Sequence, residues 1–375
     1  MPEGSNAMRV CVVGELTGGV GVYGQNLIHG LREAGAEVTV VTPTPDRSRG
    51  GRVVPVRRHL GRGRWLPQAR EFARALATTG GEFDIIHFTD ARFALFARPE
   101  SCPIVGTMND YFYAITGWLS GRGSSEIYED WVLRHGYYNL TRMLERRCLR
   151  RLDAVLCIAN FVADVLHSRY EISRRRLHVV PYGVEFGGVD IDSIECDGPM
   201  VLFVGGNFQR KGLAVLIDAS TKILESVPSA RFVVLGDSAD RKLMERRCAA
   251  RGVRGAFDFV GQVDYQTLYR YYVSASVFAM PSLLEAFGIP YLEAMHCGVP
   301  VVATDVPGPD DYLRDGENCL IAAAGDSDAL ATCTIAALQD SALAARLVAN
   351  GKRTASGFTV GKMAELTLAT YRKVV

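Results

Sequence analysis

From Arg9 onward the chain alternates short runs of β-branched residues with longer stretches whose apolar positions recur every three or four residues. These two periods separate strands from amphipathic helices. Arg9-Val-Cys-Val-Val13 reads as a strand, Val22 to Ala34 as a helix and Glu37-Val-Thr-Val-Val-Thr42 as the next strand, a βαβ unit. Further strands are expected at Val53 to Val56, Asp84 to Phe88, Ile104 to Met108, Asp153 to Ile158 and Leu177 to Val180, most with helix-like segments after them. Such a series builds a parallel sheet flanked by helices. A Gly-rich, acidic stretch from Tyr182 to Asp192 interrupts the rhythm, which restarts at Met200-Val-Leu-Phe-Val204. Helices are then expected at Leu213 to Ser226, Asp240 to Arg251 and Tyr265 to Ser274, with strands at Arg231 to Leu235, Phe257 to Val260 and Ser276 to Met280. Strands Val299 to Ala303 and Asn318 to Ile321 follow, then helices Ser327 to Gln339, Ala342 to Arg353 and Val360 to Lys373. The pattern is that of two doubly wound α/β domains, with ligands expected beyond the carboxyl ends of the strands.

At 375 residues the chain suits two domains, and 48% apolar with 22% charged residues is ordinary for a globular protein. Lys plus Arg (42) nearly cancel Asp plus Glu (41), so no global field draws the chain to nucleic acid. Nine scattered cysteines without a C-x-x-C pair suit a reducing cytoplasm. No apolar run approaches the roughly 18 residues of a spanning helix, and the start lacks a signal-peptide layout. Met1 to Ala7 is polar and patternless and reads as an expression remnant.

Three segments carry candidate chemistry. Gly19, Gly21 and Gly24 match G-x-G-x-x-G, but the first glycine lies too far beyond the strand and Thr42-Pro43 stands where a dinucleotide fold places an acidic residue. No nicotinamide or flavin cofactor is therefore expected; the glycines permit either a ligand's close approach or a plain tight turn. The second segment, Phe203-Val-Gly-Gly-Asn-Phe-Gln-Arg-Lys-Gly212, sets Arg210 and Lys211 before a helix, where two cations suit a diphosphate or form a solvated loop tip. The third runs from Met280 to Met295. Pro290 fits a first helical turn, so Glu285 falls on the preceding loop and Glu293 about one turn inside, leaning toward the helix start. Two carboxylates there suit paired sugar hydroxyls, with the amides of Phe287, Gly288 and Ile289 as anion donors. The alternative makes Glu285 a dipole partner and Glu293 a surface residue.

Several motifs occur in order: Gly19-Val-Gly21, Val180-Pro-Tyr-Gly-Val184, Phe203-Val-Gly with Arg210-Lys-Gly212, Leu235-Gly-Asp237, Phe259-Val-Gly-Gln262, Glu285-Ala-Phe-Gly with Glu293-Ala-Met, Gly298-Val-Pro-Val-Val-Ala303 and Asp315-Gly-Glu-Asn318. Together they resemble the retaining GT-B glycosyltransferases of the family 4 group, from Arg9 to the end and most densely from Val180 to Ile321. The resemblance implies an α/β, GT-B fold of two doubly wound Rossmann-like domains with a cleft between them. Residues 8–185 would form the acceptor-side domain, 186–198 a linker and 199–359 the nucleotide-sugar domain, with helix 360–375 packing back on the first. It implies further that Glu293 binds ribose hydroxyls, Glu285 approaches the donor sugar, Phe287 and Gly288 offer amides to that sugar and Ile289 to phosphate. Arg210 and Lys211 would neutralise the diphosphate, Gly261 to Val263 line the base, and Gly19 and Gly21 close over the donor.

Two departures qualify it. Gly206 stands where many relatives carry Arg, so Arg210 must supply that charge. Asn109, in Thr107-Met-Asn-Asp110, replaces a histidine near the reacting sugar; an amide can hydrogen-bond but cannot shuttle a proton. His87 offers a substitute, although a core role is the reading favoured for it. Acceptor recognition is assigned to Asn109, Asp110, Tyr111 and Tyr113 within a ring-rich stretch reaching Tyr138. The basic run Arg142 to Arg151 reads as a solvated helix face, with peripheral membrane contact the less favoured alternative. The expected partners are a nucleotide-sugar donor, UDP-linked before GDP-linked, and a hydroxyl acceptor, with no metal. Other readings are a GT-B nucleotide-sugar epimerase, a non-catalytic nucleotide-sugar-binding protein and an oxidoreductase.

Overall fold

The computed structural model describes residues 7–16, 18–44, 51–59, 65–79, 82–97, 102–109, 137–184 and 193–375, without the side chains of 18–20 and 137–142. The chain divides into two compact units, Met1–Glu185 with Thr359–Val375 and Phe186–Phe358. No helix among the described residues is long and apolar enough to cross a membrane.

The first unit holds a parallel sheet of seven strands: β1 (Arg9–Val13), β2 (Glu37–Thr42), β3 (Val53–Pro55), β4 (Ile85–Phe88), β5 (Ile104–Met108), β6 (Ala154–Cys157) and β7 (Leu177–Val179). Their order is β3-β2-β1-β4-β5-β6-β7. Helices α1 (Gly18–Glu33), α2 (Trp65–Thr78), α3 (Tyr137–Arg151) and α4 (Asn160–Tyr170) occur among the crossovers. Residues Val10 to Val13 of β1 and Ala154 to Cys157 of β6 are fully buried, as expected of parallel strands covered on both faces.

The helix α1 starts four residues before the expected Val22, so Gly19 and Gly21 lie in its first turn and not in a loop. Glycine repeats read as a break; here Gly21 serves close packing, because a Cβ on it would fall 2.3 Å from the Leu16 carbonyl carbon.

The second unit carries six parallel strands, β8 (Met200–Val204), β9 (Arg231–Leu235), β10 (Phe257–Gly261), β11 (Val277–Ala279), β12 (Val301–Thr304) and β13 (Leu320–Ala322), ordered β10-β9-β8-β11-β12-β13. Its helices are α5 (Leu213–Ser226), α6 (Arg241–Ala250), α7 (Tyr265–Ser274), α8 (Ile289–His296), α9 (Ser327–Gln339) and α10 (Ser341–Ala355). Asp264, Asp326 and Asp340 cap α7, α9 and α10 through their side chains. Asn318, expected in a strand, instead ties the preceding turn, accepting from the Arg314 amide at 2.8 Å and donating to the Tyr312 carbonyl at 2.8 Å.

The last helix, α11 (Val360–Tyr371), belongs to the first unit and packs on α1. A buried polar chain fastens it to the sheet. His87 Nδ1 meets the Tyr371 hydroxyl at 2.5 Å and Nε2 meets Thr107 Oγ1 at 2.7 Å; that hydroxyl also contacts Tyr23 OH at 2.6 Å. His87 lies inside β4, wholly buried, with both ring nitrogens engaged. An acceptor-side role for it is thereby corrected: a ring so enclosed cannot reach an acceptor hydroxyl or exchange a proton with one. Burial pushes its pKa down to about 3, so the imidazole stays neutral.

The unfolded histidine binds a proton near pH 6.5 and the folded one only near 3. Its contribution is therefore complete above pH 6.5 and is lost progressively as pH falls toward 3, by up to about 1.4 kcal/mol per pH unit. Chemical unfolding at pH 4.5 and 7.5 should show a smaller difference for His87→Gln than for the wild type.

Candidate donor site

The strand order of the second unit reverses direction between β8 and β11, and the loops that follow these two strands leave side by side. A doubly wound sheet binds its ligand at such a switch point. Three contacts knit the loops. The Leu283 amide donates to the Arg210 carbonyl at 2.9 Å. Gly212, at φ +75°, lies so close to the other loop that a Cβ would fall 1.7 Å from the Pro281 carbonyl oxygen. The third is an ion pair between Lys211 Nζ and Glu285 Oε2.

Lys211 and Glu285 are 7% and 6% exposed. Desolvation opposes the charge of the Glu285 carboxyl, yet Lys211, Arg210 and the Ala286 amide together hold its pKa below the usual carboxylate range. The Ala286 amide donates to Oε1 at 3.1 Å. Burial draws the Lys211 ammonium down, against the pull of Glu285. Contact between the two opposite charges favours the ionised form of each. Lys211 also feels the field of Glu293, so the two glutamates bear on one cation.

Gly288, at φ +84°, turns the chain into α8, and Pro290 occupies its first turn. The Tyr312 hydroxyl contacts the carbonyl oxygens of Phe287 and Gly288 at 2.6 and 2.9 Å. With those carbonyls drawn toward Tyr312, the Gly288 and Ile289 amides make no hydrogen bond among the described residues, and they sit at the positive end of the helix. The Phe287 ring is packed between Tyr312 and Phe358, 5.5 and 5.8 Å away, so this residue faces the core with its side chain.

Glu293 is only 7% exposed, which removes the reading of a surface residue. Its Oε2 accepts from the Tyr272 hydroxyl at 2.8 Å. Desolvation raises its pKa to about 7, against the lowering effects of Tyr272 and Lys211. Gly261 ends β10 at φ +92°, with half-buried Val263 two residues on.

In the first unit Asn109 is 8% exposed and locked: its Nδ2 donates to the Thr89 carbonyl at 2.5 Å and its Oδ1 accepts from Tyr182 OH at 2.7 Å. Asp110, Tyr111 and Tyr113 lie outside the described residues, as does most of the ring-rich stretch. Sequence reasoning missed Tyr272 and Tyr312. The tyrosines at 265, 269 and 272 recur at helical spacing, which marks one face of α7 and is the signal that could have singled out Tyr272.

The family described as Glycosyltransferase Family 4 matches residues 17–186, and that described as Glycosyl transferases group 1 matches residues 192–354. The chain is a group 1 glycosyltransferase of GT-B fold.

The transferase is 33% identical over 198 residues to a phosphatidyl-myo-inositol mannosyltransferase of Mycobacterium leprae, a match spanning 50% of this chain and 52% of that protein. It is 28% identical to the enzyme of that name from Mycolicibacterium smegmatis over 89% of this chain and 85% of the other. Among solved structures, a sucrose-phosphate synthase from Thermosynechococcus elongatus superposes with a TM-score of 0.80 at 23% identity, covering 98% of both chains. Anabaena Alr3699/HepE, solved with UDP and glucose, gives 0.74 at 17% identity over 98% of this chain and 100% of the other. At these identities the two structures speak to the fold.

Removing one member of the buried pair strands the other charge. Glu285→Gln should lower stability by about 3–5 kcal/mol in urea unfolding, and adding Lys211→Met should recover part of that loss. An unchanged midpoint for the single variant would contradict the buried pair.

Proposed function

We propose that this transferase moves a hexose-type sugar from a UDP-sugar to a hydroxyl acceptor with retention of anomeric configuration. The observation that carries this reading is the buried Lys211–Glu285 pair at the switch point, together with the Gly288 and Ile289 amides, which make no hydrogen bond among the described residues. Such a site holds a fixed cation and oriented donors in a low-dielectric setting, which is what a departing diphosphate requires. Arg210 and Lys211 meet the charge that develops as the anomeric bond breaks, and the Gly288 and Ile289 amides add to that stabilisation. Glu293 accepts from the ribose hydroxyls, while Glu285 fixes Lys211 and approaches the sugar. Gly261 and Val263 line the base. No protein nucleophile is invoked; the departing phosphate takes the acceptor proton. The proposal assigns no metal.

The UDP assignment is supported by the UDP-bound structural neighbour, and transfer to a polyol hydroxyl by the mannosyltransferase relatives. The first unit, with Asn109 held in place, is assigned the acceptor side, and Gly19 and Gly21 at the start of α1 are assigned to the donor. We place the reaction in the reducing cytoplasm, where nine free cysteines persist as thiols.

In a thermal-shift panel of UDP-, GDP-, ADP- and dTDP-sugars, a UDP-sugar should stabilise the protein and be slowly hydrolysed. With myo-inositol among the polyol acceptors offered, proton NMR of the product should show the donor's anomeric configuration. Glu293→Gln should weaken donor binding about tenfold, and Lys211→Ala should slow turnover about 10²–10³-fold. Stabilisation by none of the four donors, or an inverted product, would overturn the reading.

A further inference from the structure

The Glu293 carboxylate is gripped from one side. Oε2 accepts from the Tyr272 hydroxyl at 2.8 Å, whereas Oε1 makes no hydrogen bond among the described residues. Tyr272 itself is wholly buried in α7 and cannot swing aside. Phe278 of β11 packs 5.7 Å from its ring and Tyr269 meets it edge-on at 6.4 Å. Burial and the neighbouring carboxylate push the phenol pKa far up, so the hydroxyl remains a donor throughout the range in which proteins are stable.

We propose that Tyr272 is a positioning residue for donor binding: its hydroxyl holds Oε2 of the Glu293 carboxylate and leaves Oε1 to accept from the paired ribose hydroxyls. The inference rests on the reading of Glu293 as the ribose acceptor. A buried carboxylate with a single fixed partner has two failings without it. The group can rotate, which costs orientational entropy on binding, and it can take up a proton, which converts one of its accepting oxygens into a donor. The phenol addresses both, because a hydrogen bond to the charged form favours that form.

The groups that face Glu293 do not confuse the reading near neutrality. On α7, Tyr269 and Tyr272 are both pushed up by burial. On the Glu293 helix, Cys297 is pushed up to about 12. Across the site, Lys211 is paired with Glu285. The carboxyl of Glu293, pushed up to about 7, is placed to change its protonation between pH 6 and 9.

The test is nucleotide affinity against pH. Calorimetric Kd values for UDP, and for GDP and ADP in parallel, should be measured from pH 6 to 9 for the wild type, Tyr272→Phe and Glu293→Gln. The Phe variant keeps the ring and its packing and deletes the hydroxyl. Its profile should keep the wild-type shape with the midpoint moved up by about one pH unit, so that the loss of affinity is about fivefold greater at pH 7 than at pH 9, where the orientational cost alone remains. Carboxyl carbon NMR of the unliganded protein should show the same upward move in the Glu293 titration. A midpoint that stays at the wild-type pH, with or without a loss of affinity, would overturn the positioning role. Glu293→Gln should bind weakly and without the step near pH 7 that Glu293 contributes. If it binds as the wild type does, or if none of the three nucleotides binds the wild type, the reading of Glu293 itself fails and the role of Tyr272 with it.

Discussion

A buried ammonium needs a buried counter-charge, and the second unit is arranged around that demand. Lys211 and Glu285 come from loops 74 residues apart in sequence, and neither charge is tolerable out of water without the other. The loops must therefore approach until the two side chains touch. Gly212 permits that approach because it has no Cβ to strike Pro281, and the amide of Leu283 closes the seam on the Arg210 carbonyl. The start of α8 is fixed by the same stroke. A site that has met its desolvation cost during folding has little left to reorganise when an anion arrives.

The fixed cation also sets the character of the two glutamates. Glu285 is tied to Lys211 and held ionised, while Glu293, one turn inside α8, has desolvation prevailing over a single phenol and a more distant ammonium. Two like residues eight positions apart thus differ in protonation behaviour through their surroundings. That division suits a ligand with a dense charge at one end and hydroxyls at the other.

Much of this was legible from periodicity. Strand and helix alternation, the break near residue 186 and the helices at Leu213 and Tyr265 follow from short-range pattern. The Pro290 rule placed Glu285 and Glu293 on the right side of the helix start, because proline constrains the backbone locally. Where the pattern misled, the deciding force was tertiary. Gly19 and Gly21 lie in a helix, and at Gly21 the Leu16 backbone leaves no room for a side chain, while Asn318 abandons a strand to tie a turn. The core role favoured for His87 holds, but its partner, Tyr371, lies 284 positions later and could not be read from local pattern. The spacing of the tyrosines at 265, 269 and 272 marks a helix face, but the partner of Tyr272 lies on another helix, so its hydrogen bond to Glu293 is not written in that spacing.

The return of α11 has a consequence for biosynthesis. Val184 and Thr359 form a parallel bridge, so the second unit is an insertion between two neighbouring points of the first. Domains that follow one another can mature in the order in which they leave the ribosome. Here the first-made sheet receives the partner of His87, and the helix that packs on α1, only after the entire second domain has been translated. The earliest part of the chain is thus the last to be completed, and until then α1 carries an uncovered face that the emerging polypeptide must keep from unwanted contacts.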